Sequence, residues 1–344
     1  MNKIIINFTK DNLDECDIGT AITEIPFHLQ INANNKLECS VLTAAREVKR
    51  LQVVFQNVKT IGDIEHYIIK ILSFLMICYG ELKSIVSVFQ VNVEGIKRDI
   101  ANELENSLIH GNKTDCMFLH LSFRIYIFSH SNKDRFQDLF DQWSKLFTQF
   151  EFINSVFLHL TCVNKPQIDI QNMLFVQLFE PLYELVSIDE NKKPNETIHN
   201  LINIFNLNIS KFNFWPIETR HLIEDTILQL LELGRKSIEH ISLREKLSYL
   251  ISKHGQLIFK KESEDGKLEK LLRLLTKSRN RIAHIITINN KEEYLDGDQC
   301  LTYNIKLYFL FRVIVLHLIG VKEDEYKIHL ETAIKNINEH YTTL

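Results

Sequence analysis

The spacing of apolar and polar positions changes period part-way along the chain. Between residues 24 and 58 the apolar side chains alternate: Phe27, Leu29 and Ile31 do so within Glu24–Ile31, and Lys36–Leu42 follows the polar segment Asn32-Ala33-Asn34-Asn35. Alternation on both sides of a short polar break predicts two strands joined by a hairpin turn, with Leu51–Phe55 as a third strand. Ile61–Tyr79 switches to helical spacing and stops at Gly80, which suits a left-handed helix cap. Leu82–Val93 returns to β-branched residues, Ile96–Leu108 predicts a helix, and Met117–Phe128 alternates as one or two further strands.

From Lys133 onward helix follows helix. The spacing predicts Asp134–Phe147, Phe150–Leu160, Ile170–Ser187, Thr197–Leu207, Glu218–Arg235, Leu243–His254, Lys267–Ile286, Thr302–Ile319 and Glu325–His340. Lys260–Gly266 is expected as a charged loop, and Thr287–Gln299 as a polar one able to flank a cleft. No repeat of fixed period appears, so the helices form a bundle rather than a solenoid. The expected class is α+β: a small mixed α/β domain over 1–130, a helical bridge over 131–165 and an all-α domain over 166–344. A chain of 344 residues is long enough for two cores.

Composition narrows the function. The net charge of −4 argues against general coating of nucleic acid, so any such contact is local. Six cysteines (16, 39, 78, 116, 162 and 300) are scattered, without a CxxC pair or clustered histidines. That pattern points to neither a zinc site nor a disulfide scaffold, and a reducing cytoplasm is the simple expectation. Ile4-Ile5-Ile6 is too short for a signal peptide core. The most apolar stretch, Ile305–Ile319, carries Lys306, Arg312 and His317 and falls short of a membrane span, so it is expected as a buried helix.

One segment departs from this background. Positions 265 to 281 hold six basic residues against two acidic ones. Leu268, Leu271, Leu272 and Leu275 form a helical stripe, and the segment ends Ser278-Arg279-Asn280-Arg281-Ile282-Ala283-His284. Arg279 and His284 lie about 140° apart around a helix axis, with Asn280 and Ala283 between them. This wedge is expected to point away from the leucine stripe, with Arg273 and Lys277 extending it toward the helix start. An imidazole exchanges protons near neutral pH, and a guanidinium can fork onto phosphate oxygens and stabilise charge as it builds. Asn280 could orient the imidazole or bond a phosphate oxygen. Together these groups suit cleavage of RNA by its own 2′-hydroxyl, with no metal or other cofactor called for. The same residues at a helix C-terminus also offset the helix dipole, which is the alternative reading.

Other constellations carry less. His221 with Glu224 and Asp225, and Glu239-His240 beside Arg244, read as solvated helix faces; His120 and His159 sit among apolar residues as core histidines. The ten glycines are dispersed, so no phosphate-cradling loop is present.

Arg279-Asn280-Arg281-Ile282-Ala283-His284 resembles the Arg-x(4–6)-His signature of the HEPN superfamily in its Arg-Asn-x-x-x-His form. It lies late in the helical half, followed by one long apolar helix. Ile61-Gly62-Asp63-Ile64-Glu65 leading into Ile71–Leu75, Phe136–Phe147 around Trp143, and Met173–Leu185 resemble the ApeA-type anti-phage proteins more narrowly. Asn191–Trp215 has no counterpart there, and the N-terminus is shorter.

The resemblance implies an all-α HEPN bundle and a metal-independent endoribonuclease. Arg279, Asn280 and His284 would be catalytic, and Arg273, Lys277 and Arg281 would hold RNA. It further implies a homodimer with a composite cleft, tRNA or another cellular RNA as substrate, a phage-derived trigger, no membrane, and a role in abortive infection. The N-terminal domain would be the sensor or restraint. The alternative from another class is a non-catalytic HEPN module that binds RNA or nucleotide, or a regulatory partner of a toxin.

Overall fold

The computed structural model describes residues 2–8, 22–32, 35–44, 47–55, 60–80, 85–104, 123, 125, 133–158, 160, 167–187, 241–283 and 294–344. The N-terminal part is a six-stranded antiparallel sheet. Its strands are β1 (Asn2–Asn7), β2 (Ile22–Asn32), β3 (Asn35–Ala44), β4 (Glu47–Phe55), β5 (Ser87–Val91) and β6 (Lys97–Asp99), in the order β2-β3-β4-β1-β5-β6. β2 turns one set of side chains inward, Ile25, Phe27 and Leu29, and leaves Glu24, Pro26 and His28 outside. Pro26 cannot donate to a ladder, and β2 is an edge strand, where that loss costs least. The hairpin lies where alternation placed it, with pairing carried to Asn32 and Asn35.

β1 was not among the expected strands. It sits between β4 and β5, and Ile4, Ile5 and Ile6 are all buried. A strand buried on both faces reads as a continuous apolar run without alternation. The expected helix over Ile96–Leu108 is instead β6 followed by a single 3-10 turn at Ala101–Glu103. Asn92 accepts the Glu94 and Ile96 amides on its side chain, and Gly95 takes φ +84°, so a tight turn returns the chain as β6 before any helix can start.

Helix α1 (Ile61–Tyr79) begins with a capping box between Thr60 and Asp63 and ends at Gly80 with φ +76°. It is buried from Ile64 nearly to its end. Helix α2 (Lys133–Leu158) is one continuous element rather than the two expected, since no Gly or Pro interrupts it. Phe136 and Phe140 of α2 meet Phe27 of β2 edge-on at 5.0 and 4.9 Å, and Phe74 of α1 at 5.5 and 5.2 Å. Sheet, α1 and α2 thus share one aromatic core.

The C-terminal helices are α3 (Ile168–Ser187), α4 (Leu243–His254), α5 (Lys260–Glu264), α6 (Leu268–Ala283), α7 (Gly297–Leu318) and α8 (Lys327–His340). The helices expected at Thr197–Leu207 and Glu218–Arg235 lie outside the described residues, as do most of Met117–Phe128, His120, His159, His221 and His240. Helix α7 starts earlier than Thr302, because Asp296 and Gln299 form a capping box. Its 22 residues make it long and apolar enough to cross a membrane, but it is mostly buried within the fold. Asn304 binds α7 to α3, accepting the Asn172 amide at 2.7 Å and donating to Gln171 and to the Ile168 carbonyl. Phe157 of α2 stacks on Phe311 at 3.9 Å. Arg312 of α7 reaches back to α1, donating to the carbonyls of Ile77, Cys78 and Phe123, while the Tyr308 hydroxyl donates to the Gly80 carbonyl at 2.6 Å.

Lys260–Gly266, expected as a loop, contains the one-turn helix α5, which carries a buried ion pair to α7. Glu262 is buried against Lys306 of α7 at 2.6 Å, with side-chain exposures of 1% and 0%. Burial pulls the Lys306 pKa down, and the Glu262 carboxylate opposes that shift. Removing one member leaves an uncompensated buried charge, whereas removing both does not. Lys306→Met alone should therefore cost about 3–5 kcal/mol in denaturant unfolding, and Lys306→Met with Glu262→Leu should recover most of it. Equal losses in the single and double variants would contradict the pairing.

Candidate active site

The basic segment forms α6, an amphipathic helix whose leucines pack toward α3 and α4. Leu271, Leu272, Leu274 and Leu275 are completely buried, and Ser278 is buried one turn further on. The exposed side carries Glu269, Lys270 and Arg273. Glu269 pairs with Arg244 of α4, and Lys246 of α4 reaches Glu184 of α3 at 2.6 Å. Charged contacts at the rim thus support an apolar interior joining three helices.

Arg279, Asn280 and Arg281 lie in the last turn of α6, and each is half-buried. Arg279 departs from the expected outward wedge. Arg279 follows Leu268, Leu272 and Leu275 at steps of four, three and four residues, which repeats one helical face, so it emerges from the leucine stripe itself. Its Nη1 donates to the Asn280 side-chain oxygen at 3.0 Å, and its Nε is buried with no hydrogen-bond partner among the described residues. The Asn280 amide oxygen therefore steers the guanidinium. Arg273, Lys277 and Asn280 lie toward the solvent side, within about 60° of one another around the axis. His284 lies outside the described residues.

Tyr294 adds a group absent from the sequence reading. The Arg281 guanidinium lies 5.3 Å from its ring centroid. This contact ties the end of α6 to the residues leading into α7. Its only trace in the sequence is one aromatic residue inside the polar stretch Thr287–Gln299. Cys300, in the first turn of α7, donates to the Leu295 carbonyl at 3.8 Å. Among the described residues no group of three or more His, Cys, Asp or Glu side chains is arranged to hold a metal ion.

Residues 173–325 match the family model described as Apea-like HEPN. The chain carries an ApeA-like HEPN domain. No curated protein and no solved structure matches the chain. The HEPN segment takes in most of α3, all of α4 to α7 and the turn at Glu323–Glu325, so the Arg279–His284 motif falls inside it. HEPN domains are generally ribonucleases. The six-stranded sheet precedes the HEPN segment, giving the expected α+β class with a helical HEPN domain.

The Cys300 thiol is unsuited to nucleophilic work. Burial, then Asp169 and Asp296, push the Cys300 pKa up to about 11, with Arg281 acting in the opposite sense. Burial likewise pushes Cys78 up to about 12. At pH 8 both should stay protonated and resist iodoacetamide in the folded protein, then react once it is denatured, as read by peptide mass spectrometry. Native labelling as fast as denatured labelling would contradict this.

Proposed function

We propose that the chain is a metal-independent HEPN endoribonuclease that cuts tRNA or another cellular RNA as an abortive-infection response to phage. The observation that carries this reading is the Arg279-Asn280-Arg281-x-x-His284 motif at the end of a basic helix within the HEPN segment. In this reading a homodimer brings two copies of the motif together, and the N-terminal part senses a phage-derived trigger or restrains the site in the cytoplasm.

Each group has a chemical task. His284 exchanges the proton of the attacking 2′-hydroxyl or the departing 5′-oxygen. Arg279 meets the negative charge that builds on the phosphoryl oxygens. Its Nε is buried and has no acceptor among the described residues, so it is a donor that a phosphoryl oxygen would meet. Asn280 holds the guanidinium through the 3.0 Å hydrogen bond and so sets its direction. Arg273, Lys277 and Arg281 hold neighbouring phosphates. The 2′-oxygen attacks phosphorus and the P–O5′ bond breaks, leaving a 2′,3′-cyclic phosphate and a 5′-hydroxyl, so DNA is inert.

Arg279→Ala and His284→Ala should each lower RNA cleavage by at least about a hundredfold, with melting temperature unchanged, and should relieve growth arrest on expression. Mapping new RNA ends after brief induction should find cyclic phosphates with the wild type alone. Wild-type cleavage by either variant would overturn the proposal. RNA binding without cleavage, indifferent to His284→Ala, would favour a non-catalytic RNA-binding module or a toxin partner.

A further inference from the structure

Away from the HEPN motif, α1 and α2 leave a groove of about 610 Å³ between them, within the range of small-molecule sites. Both helices turn polar residues toward it. His66, Tyr67 and Lys70 come from one side of α1; Asp141, Ser144, Lys145 and Thr148 come from α2 at steps of three, one and three residues, which is one helix face. Apolar residues would be expected where two helices of a buried core face each other, so this polar lining departs from the packing around it.

The lining is built rather than merely exposed. Lys70 and Ser144 are each only 7% exposed, and the Trp143 indole fixes the two helices together by donating to the Lys70 carbonyl at 2.9 Å. The Ser144 hydroxyl has no hydrogen-bond partner among the described residues. Helical Ser and Thr commonly bond back to the carbonyl four residues earlier, as Ser73 and Thr148 do here, so an unbonded buried hydroxyl at a groove is unusual. Lys70 and Lys145 bring positive charge from opposite helices. Among the described lining residues the one carboxylate is Asp141, whose oxygen accepts from the Gln137 amide at 2.8 Å.

We propose that this groove binds a small phosphate monoester. The phosphate would lie between Lys70 and Lys145, with the Ser144 hydroxyl turned onto one oxygen and the rest of the ligand against the His66 and Tyr67 rings. A phosphate offers three oxygens to two ammonium groups and a hydroxyl at once, whereas a carboxylate offers two. The site stands on the helix whose last turn Arg312 grips; Ile77 is seven residues, roughly 10 Å, beyond Lys70. Occupancy of the groove therefore bears on the element that holds the HEPN core helix.

Isothermal titration of the full chain with ribose 5-phosphate, AMP and inorganic phosphate tests this, with ribose and adenosine as controls. At least one ester should bind at least tenfold more tightly than its unphosphorylated counterpart. Lys145→Gln, at an exposed position, should weaken that binding about tenfold, and Ser144→Ala severalfold, with unchanged melting temperatures. Absence of ester binding at millimolar concentration, or wild-type affinity in Lys145→Gln, would overturn the proposal. Equal affinity for inorganic phosphate and both esters would overturn the assignment to an ester. The readout involves no RNA, so its failure is distinct from failure of the nuclease reading.

Discussion

A buried guanidinium, with the Tyr308 hydroxyl beside it, ties the C-terminal helix α7 to the end of α1. The last turn of a helix leaves carbonyls without amide partners and carries partial negative charge. Helix α1 has no basic residue of its own there. Arg312, more than 230 positions along the chain and 0% exposed, supplies the missing donors to Ile77 and Cys78 and also binds the Phe123 carbonyl. Its guanidinium lies over the Phe123 ring at 4.0 Å. Burial lowers its pKa, but a guanidinium keeps its proton in folded proteins, so the charge must be met by these oxygens. Separating α1 from α7 would strand a charge and several carbonyls at once.

Helix α7 consequently works as a rod between sites. Near its start, Cys300 donates to the carbonyl of Leu295, the residue after the Tyr294 whose ring faces Arg281. Along its middle, Asn304 holds α3 and Lys306 holds α5 through Glu262. Toward its end, Tyr308 and Arg312 hold α1. Each of these contacts is polar and directional, set within an otherwise apolar helix. Apolar packing alone tolerates some sliding and rotation, whereas buried hydrogen bonds define one register.

How much of this could be read from the residues depends on what each element buries. Helices with one apolar stripe, such as Leu243–His254, were legible because their other faces stay polar. Strand β1 was not, since burial on both faces erases alternation from Ile4-Ile5-Ile6. Lys306 and Arg312 marked an apolar stretch as no membrane span, yet their partners, Glu262 and the end of α1, are distant in sequence and carry no local signal. Glu262 looked like part of a solvated loop for the same reason. The direction of Arg279 was legible in principle: steps of four, three and four residues from Leu268 place it on the leucine face, which its half-buried position reflects. Tyr294 beside Arg281 needed the tertiary path.

Native-state hydrogen exchange on an Arg312→Met variant tests the joint between α1 and α7 most directly. Removing the guanidinium while keeping an unbranched apolar chain should raise exchange both in the last turns of α1, around Phe74–Gly80, and along Tyr303–Leu316, by comparable factors. If Tyr303–Leu316 alone exchanged faster and the end of α1 kept its protection, the two elements would be stabilised separately and the account would be wrong.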